Sequence, residues 1–143
     1  MMNLNQLYER ARNQNIEIDE MHTRELMASS YPEGWVLMDP SKYESRRHYK
    51  CDLAHEVAHC ETGSFYNDCS PYDIKARCER KANKRAVQML MPFPEVMAAL
   101  RSGHTRTWSL AEYFDVTEDF AAMALNLYAD RIRAEQMKTE VLS

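Results

Sequence analysis

The residues most suited to chemistry form a short pattern near the middle of the chain, His55-Glu56-Val57-Ala58-His59. In a helix, positions four apart lie on one face about 6 Å apart along the axis, so both imidazoles can converge on one metal ion. Glu56 is rotated by about 100° from His55, which keeps it out of the ligand set but within reach of a water at the metal. The pattern therefore predicts His55 and His59 as zinc ligands and Glu56 as the catalytic base.

A catalytic zinc ion needs a third protein ligand, commonly a histidine or a carboxylate. The next helical segment supplies Glu79, on a stripe that also carries small alanine residues and can approach the motif helix closely. Asn83, one turn further along, can hydrogen-bond a ligand imidazole and orient it. Glu61 and Asp73 are alternative acids, although Glu61 would have to fold back from the motif helix itself. We predict Glu79 as the third ligand.

Peptide hydrolysis also needs a donor for the oxyanion that forms at the scissile carbonyl. Tyr66, Tyr72 and His104 are candidates by residue type, and the sequence does not choose among them. Residues 35–38 are a predicted strand, which can either bind an extended peptide along its edge or serve a purely structural purpose.

The elements that must position these residues begin with a helix and a small sheet. Apolar residues at helical spacing predict a helix over about 3–14, and alternating or clustered apolar residues predict strands at 16–18 and 35–38. Residues 44–50 are polar and basic and carry no clear pattern.

From about Cys51 onward the pattern is helical. Gly63 is placed to end the motif helix, and residues 63–70 are predicted to form a loop. Ser70 is predicted to cap the next helix, with Pro71 at its first position. That helix should end near Met91, because prolines follow it. Three further helices are predicted over 94–101, 109–114 and 118–133, the last of them capped by Thr117.

Two longer stretches of sequence surround the proposed ligands: Leu53-Ala54-His55-Glu56-Val57-Ala58-His59, and Glu79-Arg80-Lys81-Ala82-Asn83 leading to Met89-Leu90-Met91-Pro92. These resemble the ImmA/IrrE family of metallo-endopeptidases, whose usual pattern is A-H-E-x-x-H, then E-x-x-A-N/D, then L-L-M-P. The chain departs from that pattern at Ala58, where glycine is common, and at Arg85, where phenylalanine is common.

The resemblance implies His55, His59 and Glu79 as ligands, Glu56 as the base and Asn83 as support for a ligand. It also implies the substrate, a helix-turn-helix transcriptional repressor of a phage, a mobile element or a stress response. The spacing from His59 to Glu79 is similar to that of the thermolysin-like zincins. The expected fold is α+β, with a small N-terminal sheet packed against a zincin-type helical core. We expect a single domain over residues 1–143, made of parts 1–50, 51–92 and 93–143.

The C-terminal helices have the rhythm of a helix-turn-helix, which raises DNA binding as another function. The charge argues against it, because residues 107–130 contain five acids and no lysine or arginine, and the whole chain has a formal charge of −4. Asp115 also stands where a turn of this kind usually has glycine. We expect these helices to be scaffold, with no direct nucleic-acid partner.

A third class of function is a metal-binding but catalytically silent protein that docks a regulator. The motif permits hydrolysis without requiring it, so this alternative stays open. The sequence contains no apolar run long enough for a signal peptide or a membrane span, and we expect a cytoplasmic protein without a membrane partner. The four cysteines are nine residues apart, without the close pairs of cysteine zinc sites, and we expect free thiols.

Overall fold

The structure, a computed structural model, describes residues 1–142, which form six α-helices and one three-stranded sheet. The elements in chain order are α1 (Leu4–Asn13), β1 (Glu17–Glu20), β2 (Ala28–Tyr31), β3 (Trp35–Met38), α2 (Arg46–Thr62), α3 (Tyr72–Leu90), α4 (Phe93–Arg101), α5 (Thr107–Phe114) and α6 (Glu118–Leu142). A short 3-10 turn at Pro40–Lys42 connects β3 to α2. The predicted α+β fold, with an early sheet and later helices, is confirmed.

The sheet has the order β1-β3-β2, so β3 lies in the centre. β1 runs parallel to β3 and β2 runs antiparallel to it, with Val36 paired to Ile18 on one side and to Ser30 on the other. The predicted strand at 35–38 is confirmed, and the strand expected at 16–18 occupies Glu17–Glu20. β2 was not predicted, because Ala28-Ser29-Ser30-Tyr31 has neither an apolar run nor an apolar alternation.

The motif helix α2 begins at Arg46, five residues before the Cys51 start that its sequence suggested. Ser45 caps it by accepting a hydrogen bond from the His48 N–H. The basic residues at the start of this helix do not prevent it from packing. Lys50 is buried and donates hydrogen bonds to the backbone carbonyls of Met2 and Phe114. The predicted end at Gly63 is confirmed, with φ at 65°.

The third-ligand helix α3 begins at Tyr72, with Pro71 as the capping residue and no side-chain cap. The prediction that Ser70 caps this helix was wrong, since its hydroxyl accepts a hydrogen bond from the Asn67 N–H inside the preceding loop. Ala82 and Ala86 are fully buried where α3 packs against α2, as their small size suggested.

The C-terminal helices form a helix-turn-helix-like pair. Thr117 caps α6 as predicted, accepting a hydrogen bond from the Phe120 N–H, but α6 runs to Leu142 rather than stopping at 133. Asp115 occupies the turn with a left-handed φ of 55°, and its carboxylate lies 2.9 Å from Arg47 Nε and 3.7 Å from Lys50 Nζ. Aspartate therefore replaces glycine here while tying α5 to the start of α2.

The buried core draws on all six helices and on β3. Its largest fully buried side chains are Phe114, Leu7, Met38, Leu53, Leu90, Met91 and Leu110. Across residues 1–142, no helix has both the length and the apolar character needed to cross a membrane.

Candidate metal centre

His55, His59 and Glu79 converge at one point between α2 and α3. The Nε2 atoms of the two histidines are 3.1 Å apart. Glu79 faces both of them, with Oε1 at 3.1 Å from His59 Nε2 and Oε2 at 3.0 Å from His55 Nε2. All three donor groups lie within 4.8 Å of one another. Spacing along two helices thus brings together the three predicted ligands.

The orientation of the His59 ring is fixed by the turn that follows α2. Its Nδ1 lies 2.6 Å from the Ser64 carbonyl oxygen, which can only accept a hydrogen bond. In the neutral ring Nδ1 therefore carries the proton, and the bare lone pair of Nε2 points towards His55 and Glu79. Since the ring is almost fully buried, this orientation is well defined.

His55 lies beside Asn83 of α3, and both side chains line the same cavity. Burial acts to lower the pKa of His55, but the hydrogen bond with Glu79 and the charges of Glu56 and Glu79 outweigh it and raise that pKa. Contacts with the two histidine rings, that of His55 first, hold the pKa of Glu79 far below its usual range. The two histidines therefore favour the ionised form of the Glu79 carboxylate.

This donor set fits a divalent metal ion. The Nε2 lone pair of His59 faces a carboxylate oxygen at hydrogen-bond distance, an arrangement that needs positive charge between the atoms. Two imidazole nitrogens and one carboxylate are the donors of many catalytic zinc sites, which leave a further position open. The part of Glu79 that is exposed, 37% of its side chain, leaves such an open side.

Glu56 lies beside the ligands and is not engaged by other groups. It lines a cavity together with His59 and Glu79. Within the described chain its carboxylate makes no hydrogen bond and no ion pair. An unengaged carboxylate next to a candidate metal centre is available to accept a proton.

Of the three proposed oxyanion donors, the structure brings Tyr66 to the centre. Its hydroxyl donates a hydrogen bond of 2.8 Å to Glu79 Oε1. That bond, with partial burial, raises the pKa of Tyr66 to about 12. Tyr72 is 86% exposed in the first turn of α3, and His104 is hydrogen-bonded to Ser109 on α5. Neither of these two side chains lies in a cavity at the ligands.

The alternative ligand Glu61 is engaged elsewhere. Its carboxylate is buried and accepts hydrogen bonds from Arg10 on α1, from Gln14 just after α1 and from Arg85 on α3. These contacts occupy the Glu61 carboxylate, and the acid that faces both histidines is Glu79. They also explain Arg85, the departure from the family pattern, since this arginine pairs with Glu61 at 3.0 Å.

The ligands lie between two cavities. The larger, about 780 Å³, is lined by His55 and Asn83 and extends to the start of α6. The smaller, about 230 Å³, is lined by His59, Glu79 and Tyr66. β2 and the residue before it reach both cavities, with Met27 in the larger and Ala28, Ser29 and Ser30 in the smaller.

Of the two alternatives for the strand at 35–38, the structure supports the structural one, because β3 has a partner strand on each side and offers no free edge. The outer strand beside the ligands is β2, which the sequence did not predict. The Asp39 N–H donates to the Met27 carbonyl, which fixes the alternation of the antiparallel pair. The backbone groups of Ala28 and Ser30 therefore point away from β3, towards the open edge.

The fold and the site together define a metallopeptidase, built on an H-E-x-x-H helix with a carboxylate from the following helix. Residues 6–126 match the model of peptidase family M78, described as the IrrE N-terminal-like domain, and the chain belongs to this family. The resemblance to the ImmA/IrrE proteins is thereby confirmed, and family and site both indicate a metal ion. No curated protein matches the chain significantly.

Proposed function

We propose that this protein is a zinc-dependent endopeptidase. The observation that carries the proposal is the convergence of His55, His59 and Glu79 beside the unengaged carboxylate of Glu56. His55, His59 and Glu79 would hold the ion. When bound, zinc supplies Lewis acidity, which lowers the pKa of water and polarises a peptide carbonyl.

Glu56 moves the proton. Its carboxylate accepts a proton from the attacking water, and the resulting carboxylic acid delivers that proton to the leaving amine nitrogen. Its position in the cavity with His59 and Glu79 gives it access to both atoms. Because no hydrogen bond or ion pair from residues 1–142 holds it, it can turn between them.

Tyr66 is the proposed donor to the oxyanion. Its raised pKa keeps the phenol protonated at neutral pH, so the hydroxyl can donate a hydrogen bond throughout the reaction. In the absence of substrate it donates to Glu79, and it can exchange that partner for the developing oxyanion.

The substrate is proposed to be a protein segment bound in extended form along β2. The outward backbone groups of Ala28 and Ser30 can pair with such a segment, as in other cases of strand addition. We further propose, from the family likeness, that the substrate is a helix-turn-helix repressor and that the reaction takes place in the cytoplasm, without direct contact to nucleic acid.

The test compares wild type with Glu56→Gln, each loaded with zinc and incubated with a purified helix-turn-helix repressor. We expect wild type to cleave the repressor at one site and Glu56→Gln to bind zinc equally well without cleaving. Cleavage by Glu56→Gln would remove Glu56 as the base. Zinc binding without cleavage by wild type of this repressor or of a denatured protein mixture would favour the silent docking protein instead.

A further inference from the structure

The larger cavity, whose lining includes His55 and Asn83, is the space beside the candidate metal centre that a substrate side chain can enter. It is continuous with the site, because His55 and Asn83 form part of its wall. Its volume of about 780 Å³ exceeds that of the cavity holding Glu56 and lies within the range of ligand pockets. Whatever binds at the metal and extends past His55 must enter this space.

The cavity combines apolar walls with acidic groups. Phe120 is almost fully buried, and Met27 and Met123 add further apolar surface. Carboxylates from three separate segments also line it. They are Glu44 before α2, Asp52 on α2 and Asp119 on α6.

These carboxylates lack full compensation by protein cations. Within residues 1–142, Glu44 and Asp119 make no side-chain hydrogen bond and no ion pair. Asp52 uses Oδ2 for both of its contacts, the Tyr43 hydroxyl at 2.7 Å and His48 Nε2 at 3.4 Å. Each of the three therefore has at least one carboxylate oxygen available.

Lys42, the lysine that lines the cavity, directs its charge elsewhere, and the other basic group in the lining, His48, contacts Asp52. Lys42 Nζ donates to the Thr23 carbonyl at 2.7 Å and to the Leu26 carbonyl at 3.0 Å, and it lies 3.5 Å from buried Asp39. Its charge is thus directed into the loop before β2. The carboxylates also do not form a compact ligand cluster, because the one group of three metal-binding side chains found in residues 1–142 is His55, His59 and Glu79.

We propose that this cavity selects a basic side chain, arginine or lysine, of the peptide substrate. The inference rests on the proposed function, which supplies the peptide, and it adds a preference that the metal centre alone does not give. The methylenes of the basic residue pack against Phe120 and Met123, and its charged head reaches Asp52 and Asp119. A peptide on the edge of β2 can direct a side chain into this cavity, because the strand and the residue before it reach both cavities: Met27 lines the larger one and Ser29 the smaller one.

The test measures binding rather than cleavage, in the full chain carrying Glu56→Gln and loaded with zinc. The probes are fluorescent ten-residue peptides of neutral sequence with one variable position, arginine, norleucine or glutamate. We expect the arginine peptide to bind about tenfold more tightly than the norleucine peptide, with a ratio that falls as salt rises. Asp119→Asn and Asp52→Asn should each reduce that ratio about two- to fivefold.

Glu118→Gln is the matched control, since Glu118 is an exposed acid next to Asp119 that does not line the cavity. It should leave the ratio unchanged. Equal binding of the arginine and norleucine peptides, no measurable binding of either, or an equal effect of Glu118→Gln and Asp119→Asn would each overturn the inference. Wild type that cleaves nothing would refute the proposed function but leave this ratio intact, so the two failures are distinguishable.

Discussion

The buried carboxylate of Glu61 holds three helices together, and its removal gives a sharp test of how the site is positioned. Glu61 lies in the last turn of α2, and its oxygens accept hydrogen bonds from Arg10 Nε at 2.6 Å, Arg10 Nη2 at 2.8 Å and Arg85 Nη1 at 3.0 Å. Gln14 adds a bond of 2.8 Å. Because Glu61 lies two residues after His59 and Arg85 two after Asn83, the same contacts set the distance between the two ligand-bearing helices.

The expected loss of stability on removing the Glu61 carboxylate follows from the exposed fractions of the three side chains. The Glu61 side chain is 1% exposed, whereas those of Arg10 and Arg85 are 35% and 40% exposed. Removing one member of a fully buried pair costs about 3–5 kcal/mol, and a surface pair contributes about 0–1 kcal/mol. The arginines left behind in Glu61→Ala regain water, so we expect a loss of about 2–3 kcal/mol, or a decrease in Tm of roughly 5–10 °C for a chain of this size.

The assay is thermal and urea unfolding of the metal-free protein, which separates this effect from zinc binding. Glu9→Ala is the control, because Glu9 is an exposed acid on α1 and should change stability by less than about 0.5 kcal/mol. Glu61→Ala should also weaken zinc binding, although Glu61 is not a ligand. If Glu61→Ala and Glu9→Ala had the same Tm, the proposed role of the three-helix contact would be refuted.

The pH dependence of this contact has a defined sign. Burial acts to raise the pKa of Glu61, but the hydrogen bonds from Arg10, Gln14 and Arg85 outweigh it and lower that pKa below the ordinary value of 4.5. A group with a lowered folded pKa stabilises the protein above its unfolded pKa and loses that contribution as the pH falls. The stability gap between wild type and Glu61→Gln should therefore be constant from pH 7 to about 5 and shrink below about pH 4.5.

Substitutions at three further positions test the site and its scaffold. Glu79→Ala should weaken zinc binding more than about 100-fold, which exceeds the loss typical of a residue that only orients a ligand. Competition with a chromophoric chelator measures this affinity, and unchanged zinc content would exclude Glu79 as a ligand. Tyr66→Phe should lower kcat of the zinc-saturated enzyme about 100-fold, while weaker zinc binding with unchanged kcat would show that Tyr66 only orients Glu79. Asp115→Ala should destabilise the chain by about 1–2 kcal/mol in urea unfolding, because it strains the left-handed turn and removes a carboxylate, itself 57% exposed, that faces buried Lys50. Asp115→Gly should recover about 1 kcal/mol of that loss, and equal stability of the two variants would contradict the strain argument.

The candidate metal site was the most predictable part of the molecule, because the relation between its residues is local. His55 and His59 lie one helical turn apart, and Glu79 follows on a helix whose small residues mark the face that packs. β3 was equally clear, since its apolar residues stand between Gly34 and Pro40. In these cases the sequence near each residue carries the physical reason for its position.

The parts that were missed depend on partners far away in the chain. β2 is a strand because Ser30 pairs with Val36, not because Ala-Ser-Ser-Tyr favours a strand. The first turn of α2 was not predicted, because a segment that contains Lys50 does not look like one that is buried. The burial of Lys50 depends on a distant acceptor, the Phe114 carbonyl at 3.3 Å. The contact between Glu61 and Arg10 and the larger cavity likewise arise from packing across the chain.

The turn that ends α2 links the backbone conformation of Gly63 to the orientation of the His59 ring. Gly63 adopts a left-handed φ of 65°, and the next residue, Ser64, then presents its carbonyl to His59 Nδ1. A Cβ added at Gly63 would meet no atom within 4 Å, so backbone conformation and not space restricts this position. In a saturation mutagenesis screen for proteolysis, Gly63 should therefore be nearly as intolerant as a ligand, with asparagine the best-tolerated replacement. A residue with no side chain would then affect catalysis, because its turn selects the tautomer of the His59 imidazole.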